Sequence, residues 1–344
     1  MEFCGLEMRR HRSEAFNAML RYPFILVLRD NQSVIRNLVL LLAAAGAAFP
    51  QSPASNAPPA TFRSGVSNVK IDVQVTNNGD LVRDLGMRDF LLFDQERQRE
   101  LLFVDQGAEP LSLALLLDVS GSMRTHVQAV AGVAVESLQF LQQGDTVAVI
   151  VFGKRTKLRL PLTTDRSRVE TEIKEGVNDQ EVGAKTAIND AIVAASEYLA
   201  KQAPTSRRAI LILTDNLGMN LRNPDDKVLD RLLGDNCVLN AIVVGSKYRP
   251  DPTKPRPTSN PEETLPNVYY IASETGGEAV KVEDARAAFP SMVERIRSRY
   301  SLQYTTPPGV EGRFRRIRIE LTPAARIRYP DAKLRYRRGY YFRH

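Results

Sequence analysis

The sequence predicts an α/β fold: a doubly wound, mostly parallel sheet inserted in a small β domain built from the N- and C-terminal strands. Three observations carry this expectation. Strand and helix patterns alternate from residue 111 to residue 299. Several strands in that stretch, such as Ala209-Ile210-Leu211-Ile212-Leu213, are apolar on both faces, which a central parallel strand covered by helices on each side requires. The flanking stretches 67–110 and 300–344 have strand character without helices, and neither is long enough to bury a core alone.

Taken in order, the chain begins with a segment that reads as targeting rather than fold. Residues 37–48 are rich in Leu and Ala, follow Arg36, and end in small residues before Phe49-Pro50. That is the order of a secretory signal: a basic flank, a short apolar run and a cleavage site. The run is well short of the ~20 apolar residues that span a bilayer, which argues against a permanent anchor. The stretch ahead of it is long for a signal, which predicts a true start nearer Val34 or an uncleaved anchor. Residues 1–48 are thus expected to be a signal, or a misassigned start plus a signal, and the chain to be exported to the periplasm, cell envelope or medium. The competing reading is a cytosolic protein that buries this segment as an apolar helix. Residues 49–66, rich in Pro, Ser and Ala, should be a flexible tether.

Residues 67–110 hold the first half of the β domain. Asn68 to Val75 alternate as a half-buried strand, the turn 77–80 follows, and further strands are expected at 90–94 and 101–104. Within 111–299, strands are expected at 113–118, 146–152, 157–161, 209–214, 238–244 and 268–271. Helices are expected at 125–142, 166–175, 186–201, 225–233 and 282–299. The proline-rich stretch 246–266 can be neither helix nor ladder and should be an exposed loop. Strand character returns at 300–304, 313–321 and 333–341, and pairing these strands with 68–104 is the economical arrangement.

Composition excludes several chemistries. Three His and two Cys in 344 residues supply no cluster for zinc or haem. Cleavage near Ala48 leaves Cys237 as the only cysteine, a small buried hydrophobe, so packing rather than a disulfide must hold the fold. The formal charge is +7, and residues 295–344 carry fourteen Lys and Arg against three Asp and Glu. Many of these arginines alternate with apolar residues, in Phe314 to Ile319 and in Ala325 to Tyr329. Period-two alternation reads as the solvated face of a sheet, with binding of an anionic polymer or envelope surface as the alternative. No specific nucleic acid is expected, and the sequence specifies no oligomeric state.

The chemistry is concentrated in Asp118-Val119-Ser120-Gly121-Ser122, entered directly from the apolar stretch Leu113 to Leu117. Three oxygen side chains in one strand-to-helix turn suit a hard cation. Thr186 and Asp215 stand at the ends of neighbouring expected elements, and in open α/β sheets ligands sit at the carboxyl ends of strands. An ordinary strand end followed by an N-cap explains the first motif alone but not the convergence of all three segments. His126 reads as a helix surface residue, and Asp190 as a solvated helical carboxylate.

These three segments resemble the von Willebrand factor type A domain with its metal-ion-dependent adhesion site. The resemblance rests on Leu116 to Met123, Gly183 to Ile188 and Ile212 to Asn216, and it covers residues 111–299. The family usually writes Gly-Gly-Thr in the second segment and Thr-Asp-Gly in the third, so Lys185 and Asn216 depart from it without removing a ligand. The resemblance implies that Ser120 and Ser122 coordinate Mg²⁺ directly, Thr186 directly or through water, and Asp118 and Asp215 largely through water. Ca²⁺ or Mn²⁺ is compatible with the same oxygen set. It further implies a vacant coordination position that a Glu or Asp of a protein partner fills, with peripheral envelope contact as a further option. The stretches 271–277, 299–304 and 337–341 are similar to an exported bacterial subgroup of this family.

An enzyme is the competing class. A P-loop and a Gly-x-Ser-x-Gly elbow are absent. A Mg-dependent phosphohydrolase could use Asp118 as nucleophile, but it usually needs a second carboxylate two residues on, where Ser120 stands. The sequence therefore favours a non-catalytic module for metal-dependent protein binding or adhesion.

Overall fold

A computed structural model describes residues 67–218, 222–245, 250–254 and 265–342. The expected signal and tether, and most of the proline-rich loop, lie outside the described residues. None of the described helices is long and apolar enough to cross a membrane.

The chain opens with β1 (Ser67–Asn77), β2 (Asp80–Leu81), β3 (Phe90–Asp94), β4 (Arg97–Arg99) and β5 (Leu101–Gln106). The α/β unit follows as β6 (Leu111–Asp118), α1 (Arg124–Ser137), β7 (Thr146–Phe152), β8 (Thr156–Thr163), α2 (Arg166–Gly176), α3 (Ile188–Gln202) and β9 (Arg207–Thr214). It continues through α4 (Asp225–Gly234), β10 (Cys237–Val244), α5 (Val268–Thr275), β11 (Ala279–Val282) and α6 (Ala285–Arg297). The chain ends with β12 (Tyr300–Thr306), β13 (Phe314–Leu321), α7 (Pro323–Arg328), β14 (Ala332–Arg335) and β15 (Gly339–Tyr341).

The central sheet runs in the order β11-β10-β9-β6-β7-β8. Every neighbouring pair is parallel except β7 and β8, so the sheet is mostly parallel with one antiparallel edge. Side chains of a strand alternate between faces, and here both faces are apolar. Leu113, Leu115 and Leu117 of β6 pack with α1, α2 and α6, whereas Ala114 and Leu116 pack with the layer of α3, α4 and α5. All eight residues of β6 are buried, as a central strand of a doubly wound sheet demands.

The strands of the two chain ends pair with one another into two antiparallel sheets, β14-β1-β12-β5 and β15-β13-β3-β4. Val69, Ile71, Val73 and Val75 of β1 share a core with Leu302 and Tyr304 of β12, Leu92 of β3, and Ile317 and Ile319 of β13. Buried arginines staple these sheets to the α/β unit. Arg207 at the start of β9 pairs with Asp72 of β1 at 3.4 Å. Arg299 donates to the carbonyls of Gly276 (2.6 Å), Arg335 (3.1 Å) and Asp72 (3.4 Å). Burial pushes the Asp72 carboxyl up, but the charges of Arg207, Arg299 and Arg337 outweigh it and hold the carboxyl below its ordinary value. Burial likewise lowers Arg299 to about 10.

Two sequence expectations are corrected. Residues 268–271 are not a strand but the start of α5, and the edge strand is β11. Val268 to Ala272 are all buried, so the apolar run lacks the alternation that separates strand from helix. The Asn267 side chain caps α5 by accepting from Tyr270 N at 3.1 Å. Residues 323–328 form the short helix α7, started by Pro323 and capped by Thr322, so Arg326 and Arg328 do not lie on a strand. In β13 the alternation holds: Ile317, Ile319 and Leu321 are buried and Arg316 is exposed.

Candidate metal centre

In the strand order, β6 is flanked by β7 on one side and β9 on the other, and the chain turns to opposite directions from it. The carboxyl ends of β6 and β9 therefore form the switch point where such sheets bind ligands. Asp118 is the last residue of β6, and Asp215 immediately follows β9.

Asp118 is fully buried. Its Oδ1 accepts from the Ser120 backbone N at 3.0 Å, and its Oδ2 accepts from Thr214 Oγ1 at 2.8 Å. Ser122 Oγ donates to Asp215 Oδ2 at 2.8 Å and lies 3.5 Å from Ser120 Oγ. Asp215 Oδ1 accepts from Leu217 N at 2.9 Å. Four of the five expected residues thus lie in two linked hydrogen-bond systems spanning β6 and β9.

The fifth, Thr186, lies in the neighbouring loop, and no hydrogen bond joins it to the other four. The helix expected to open at Thr186 begins instead at Ile188, with Ala187 at its N-cap. Two glycines seat this loop. A Cβ on Gly153, just past β7, would lie 2.2 Å from Gly183 O, and one on Gly218 would lie 2.6 Å from Thr186 O. Ala187 N donates to Gly153 O at 2.8 Å. The loop is therefore held between the end of β7 and the segment after β9. Sequence reasoning passed over Gly153 and Gly218 and gave Thr214, though part of the third segment, no role; the only signal for the glycines was their place just beyond strand ends.

Burial raises the Asp118 carboxyl to about 6; the Asp215 charge adds to this, and hydrogen bonds from Ser120 and Thr214 oppose it. Among the described residues neither Asp118 nor Asp215 forms an ion pair. Two carboxylates, one fully buried and one 9% exposed, converge without a counter-charge. A divalent cation would supply that charge, and carboxylates with hydroxyls are the donor set of Mg²⁺, Ca²⁺ or Mn²⁺. The residues present fit such an ion. Among the described residues no three His, Cys, Asp or Glu side chains gather into a metal cluster. The centre has only two carboxylates, and its remaining oxygens are hydroxyls. Before α1, Met123 N donates to Ser120 O at 3.0 Å, and α1 has no side-chain cap, so its dipole favours negative charge near this turn.

Residues 113–218 match the family model of the von Willebrand factor type A domain. This segment is a von Willebrand factor type A domain. No curated protein sequence matches the chain. Among solved structures, the chain is similar to an aerotolerance-related membrane protein from Bacteroides fragilis, at 19% identity over 54% of this chain and 98% of that one, with a TM-score of 0.41. It is also similar to a von Willebrand factor type A protein from Catenulispora acidiphila, at 14% identity over 79% of this chain and 73% of that one, with a TM-score of 0.44. A third is proximal thread matrix protein 1 of the mussel byssus with a zinc-occupied metal-site motif, at 14% identity over 59% of this chain and 49% of that one, with a TM-score of 0.42.

The two departures from the von Willebrand factor type A pattern have local explanations. Asn216 takes φ +57°, the left-handed region where glycine is at home and asparagine is the next best tolerated. Its side chain also accepts from Val268 N at 3.4 Å, an anchor for α5 that glycine lacks. Lys185 is exposed and is not among the residues of positive φ, so its backbone has no need of glycine. Asp190 is not simply solvated: it accepts from Asn223 Nδ2 at 2.7 Å, while Asn189 donates to Asn223 O at 2.8 Å, tying α3 to the stretch after β9.

Proposed function

We propose that this chain is a non-catalytic binding module that captures an acidic residue of a protein partner at a metal ion. Asp118, Ser120, Ser122, Thr186 and Asp215 hold the ion, Mg²⁺ by preference and Ca²⁺ or Mn²⁺ as substitutes. The bound ion supplies a Lewis-acidic position open to a carboxylate oxygen. Asp118 contributes buried negative charge and orients the turn through Ser120 N. Thr214 fixes the Asp118 carboxylate, and Asp215 orients the Ser122 hydroxyl. The observation that carries the reading is the pair of converging carboxylates at the switch point with no cationic partner.

The surroundings support an acidic partner. Lys154, Arg155 and Lys185 are exposed on the two segments that meet at Gly153 and Gly183, which favours approach of negative charge. Leu217, two residues beyond Asp215, is 53% exposed and offers apolar contact. With the signal-like stretch 37–48, the setting proposed is the cell envelope or beyond. The test is capture of envelope proteins on the immobilised chain with Mg²⁺, with EDTA, and with Ser120→Ala. A partner retained in Mg²⁺ and lost in both other conditions supports the proposal, whereas a partner indifferent to EDTA and to the substitution refutes it.

A further inference from the structure

Away from the candidate metal centre, the β3–β4 hairpin and the segment joining β12 to β13 enclose a cleft of about 510 Å³. Its lining includes Arg97, Arg99, Arg313 and Arg315, and no carboxylate among the described residues. Arg315 is fixed in place: its Nε and Nη2 each lie 3.0 Å from an oxygen of the buried Asp94. Tyr304, Thr306 and Tyr340 donate to the same carboxylate at 3.2, 3.0 and 3.1 Å, so Asp94 is saturated and held rigidly. The other three arginines form no ion pair among the described residues. Arg99 Nε is shielded from solvent and has no acceptor.

Arginines on a solvated sheet face usually spread apart into water. Here they come from two separate segments, Arg97 and Arg99 from β4 and Arg313 and Arg315 from the start of β13, and line one space, which is closed by a tight loop. A Cβ on Gly309 would meet Arg315 Nη1 at 3.2 Å and the Phe342 ring at 3.3 Å, so the loop packs closely against the Arg315 guanidinium. Among the described residues the one ion pair made by these four guanidiniums is that of Arg315 with Asp94. Their planar forks match oxyanions in bidentate fashion. The volume falls within that of small-ligand sites, about 300–1,000 Å³. A phosphate group carries about −1.5 to −2 charges and a carboxylate only one, so two phosphates neutralise the cleft where several carboxylates would crowd it.

We propose that this cleft binds a compact polyanion bearing two or more phosphate groups. The site is independent of the metal-dependent reading. The test is calorimetric titration of inorganic tripolyphosphate into the metal-free full chain, into Arg97→Ala and Arg313→Ala, and into Asp118→Ala. Arg97 and Arg313 are exposed, so both variants should fold, which circular dichroism checks. The expected result is binding that weakens about tenfold in each arginine variant, weakens further with added salt, and is unchanged in Asp118→Ala. Affinity unchanged in the arginine variants overturns the proposal. So does citrate binding as tightly as tripolyphosphate, or duplex DNA binding more tightly than either.

Discussion

Ser122 Oγ donates to Asp215 Oδ2 at 2.8 Å, so the turn after β6 is latched to the end of β9 across the switch point of the sheet. A second latch lies beneath it, from Thr214 Oγ1 to Asp118 Oδ2 at 2.8 Å. Each carboxylate is thus oriented by a hydroxyl from the other strand's end, and among the described residues neither forms an ion pair.

Thr214→Val keeps the shape of the side chain but removes the donor from buried Asp118 and the acceptor from Asn216 N. It should cost about 1–3 kcal/mol of stability and push the Asp118 carboxyl further above about 6. Denaturant unfolding measures the first effect. Mg²⁺ affinity falling more steeply below neutral pH than in the parent chain checks the second.

Gly153→Ala places a methyl where Gly183 O stands 2.2 Å away, and neither backbone can yield without moving the Thr186 loop. About 1–3 kcal/mol of destabilisation is expected, as for an overpacked site, together with weakened metal binding. Gly132→Ala in α1 is the control, because nothing lies within 4 Å of its Cβ. There alanine should be neutral or stabilising by up to about 1 kcal/mol. Equal melting temperatures for the two variants would contradict the account of the loop.

The parts of this fold legible in the sequence were those with a clear apolar period. The central strands β6, β7, β9 and β10 and the helices α2 and α4 stand within a residue or two of expectation, because their burial pattern is continuous or cleanly amphipathic. The run 268–271 misled because a fully buried short helix and a fully buried strand have the same apolar signature. Arg326 and Arg328 misled because alternation over five residues also fits one turn of helix. At the candidate site, Asp118, Ser120 and Ser122 were legible as a local motif. Thr214 stood in the third segment, but its bond to Asp118 was not legible, because it depends on the pairing of β9 with β6, which no local pattern encodes. The alternating arginines were read as surface, and nothing in the sequence set apart Arg297, Arg299 and Arg337, which are buried and whose partners only tertiary contacts reveal.

Arg297→Met should be among the most destabilising changes. Arg297 Nε lies 2.7 Å from Asp145 Oδ2, with side chains 5% and 1% exposed. Asp145 also accepts from Leu111 N and Gln142 N, both at 2.8 Å, and so fixes the entry to β6. Loss of the arginine strands a buried carboxylate, at about 3–5 kcal/mol. Chemical denaturation of Arg297→Met and of the double variant Arg297→Met/Asp145→Asn checks this, with the double variant recovering part of the loss.

Cys237 is buried, and burial pushes its thiol from about 9 up to about 12. The folded chain should resist alkylation near pH 8, about the ordinary thiol pKa, and become reactive only on unfolding. The raised value means the folded state holds its proton more tightly than the unfolded state. This contribution to stability is therefore level below about pH 9 and falls as pH rises from about 9 to about 12. Rapid labelling of the native chain would show that β10 does not shield the thiol.

The central claim is that Asp118 and Asp215 converge to hold a hard divalent cation. Its most direct test is calorimetric titration of MgCl₂ into the metal-stripped chain and into Asp118→Ala and Asp215→Ala, each verified as folded. The account predicts one saturable site in the parent chain and at least about a tenfold loss of affinity in each variant, about 1.4 kcal/mol or more. Equal Mg²⁺ affinity in all three chains would contradict it.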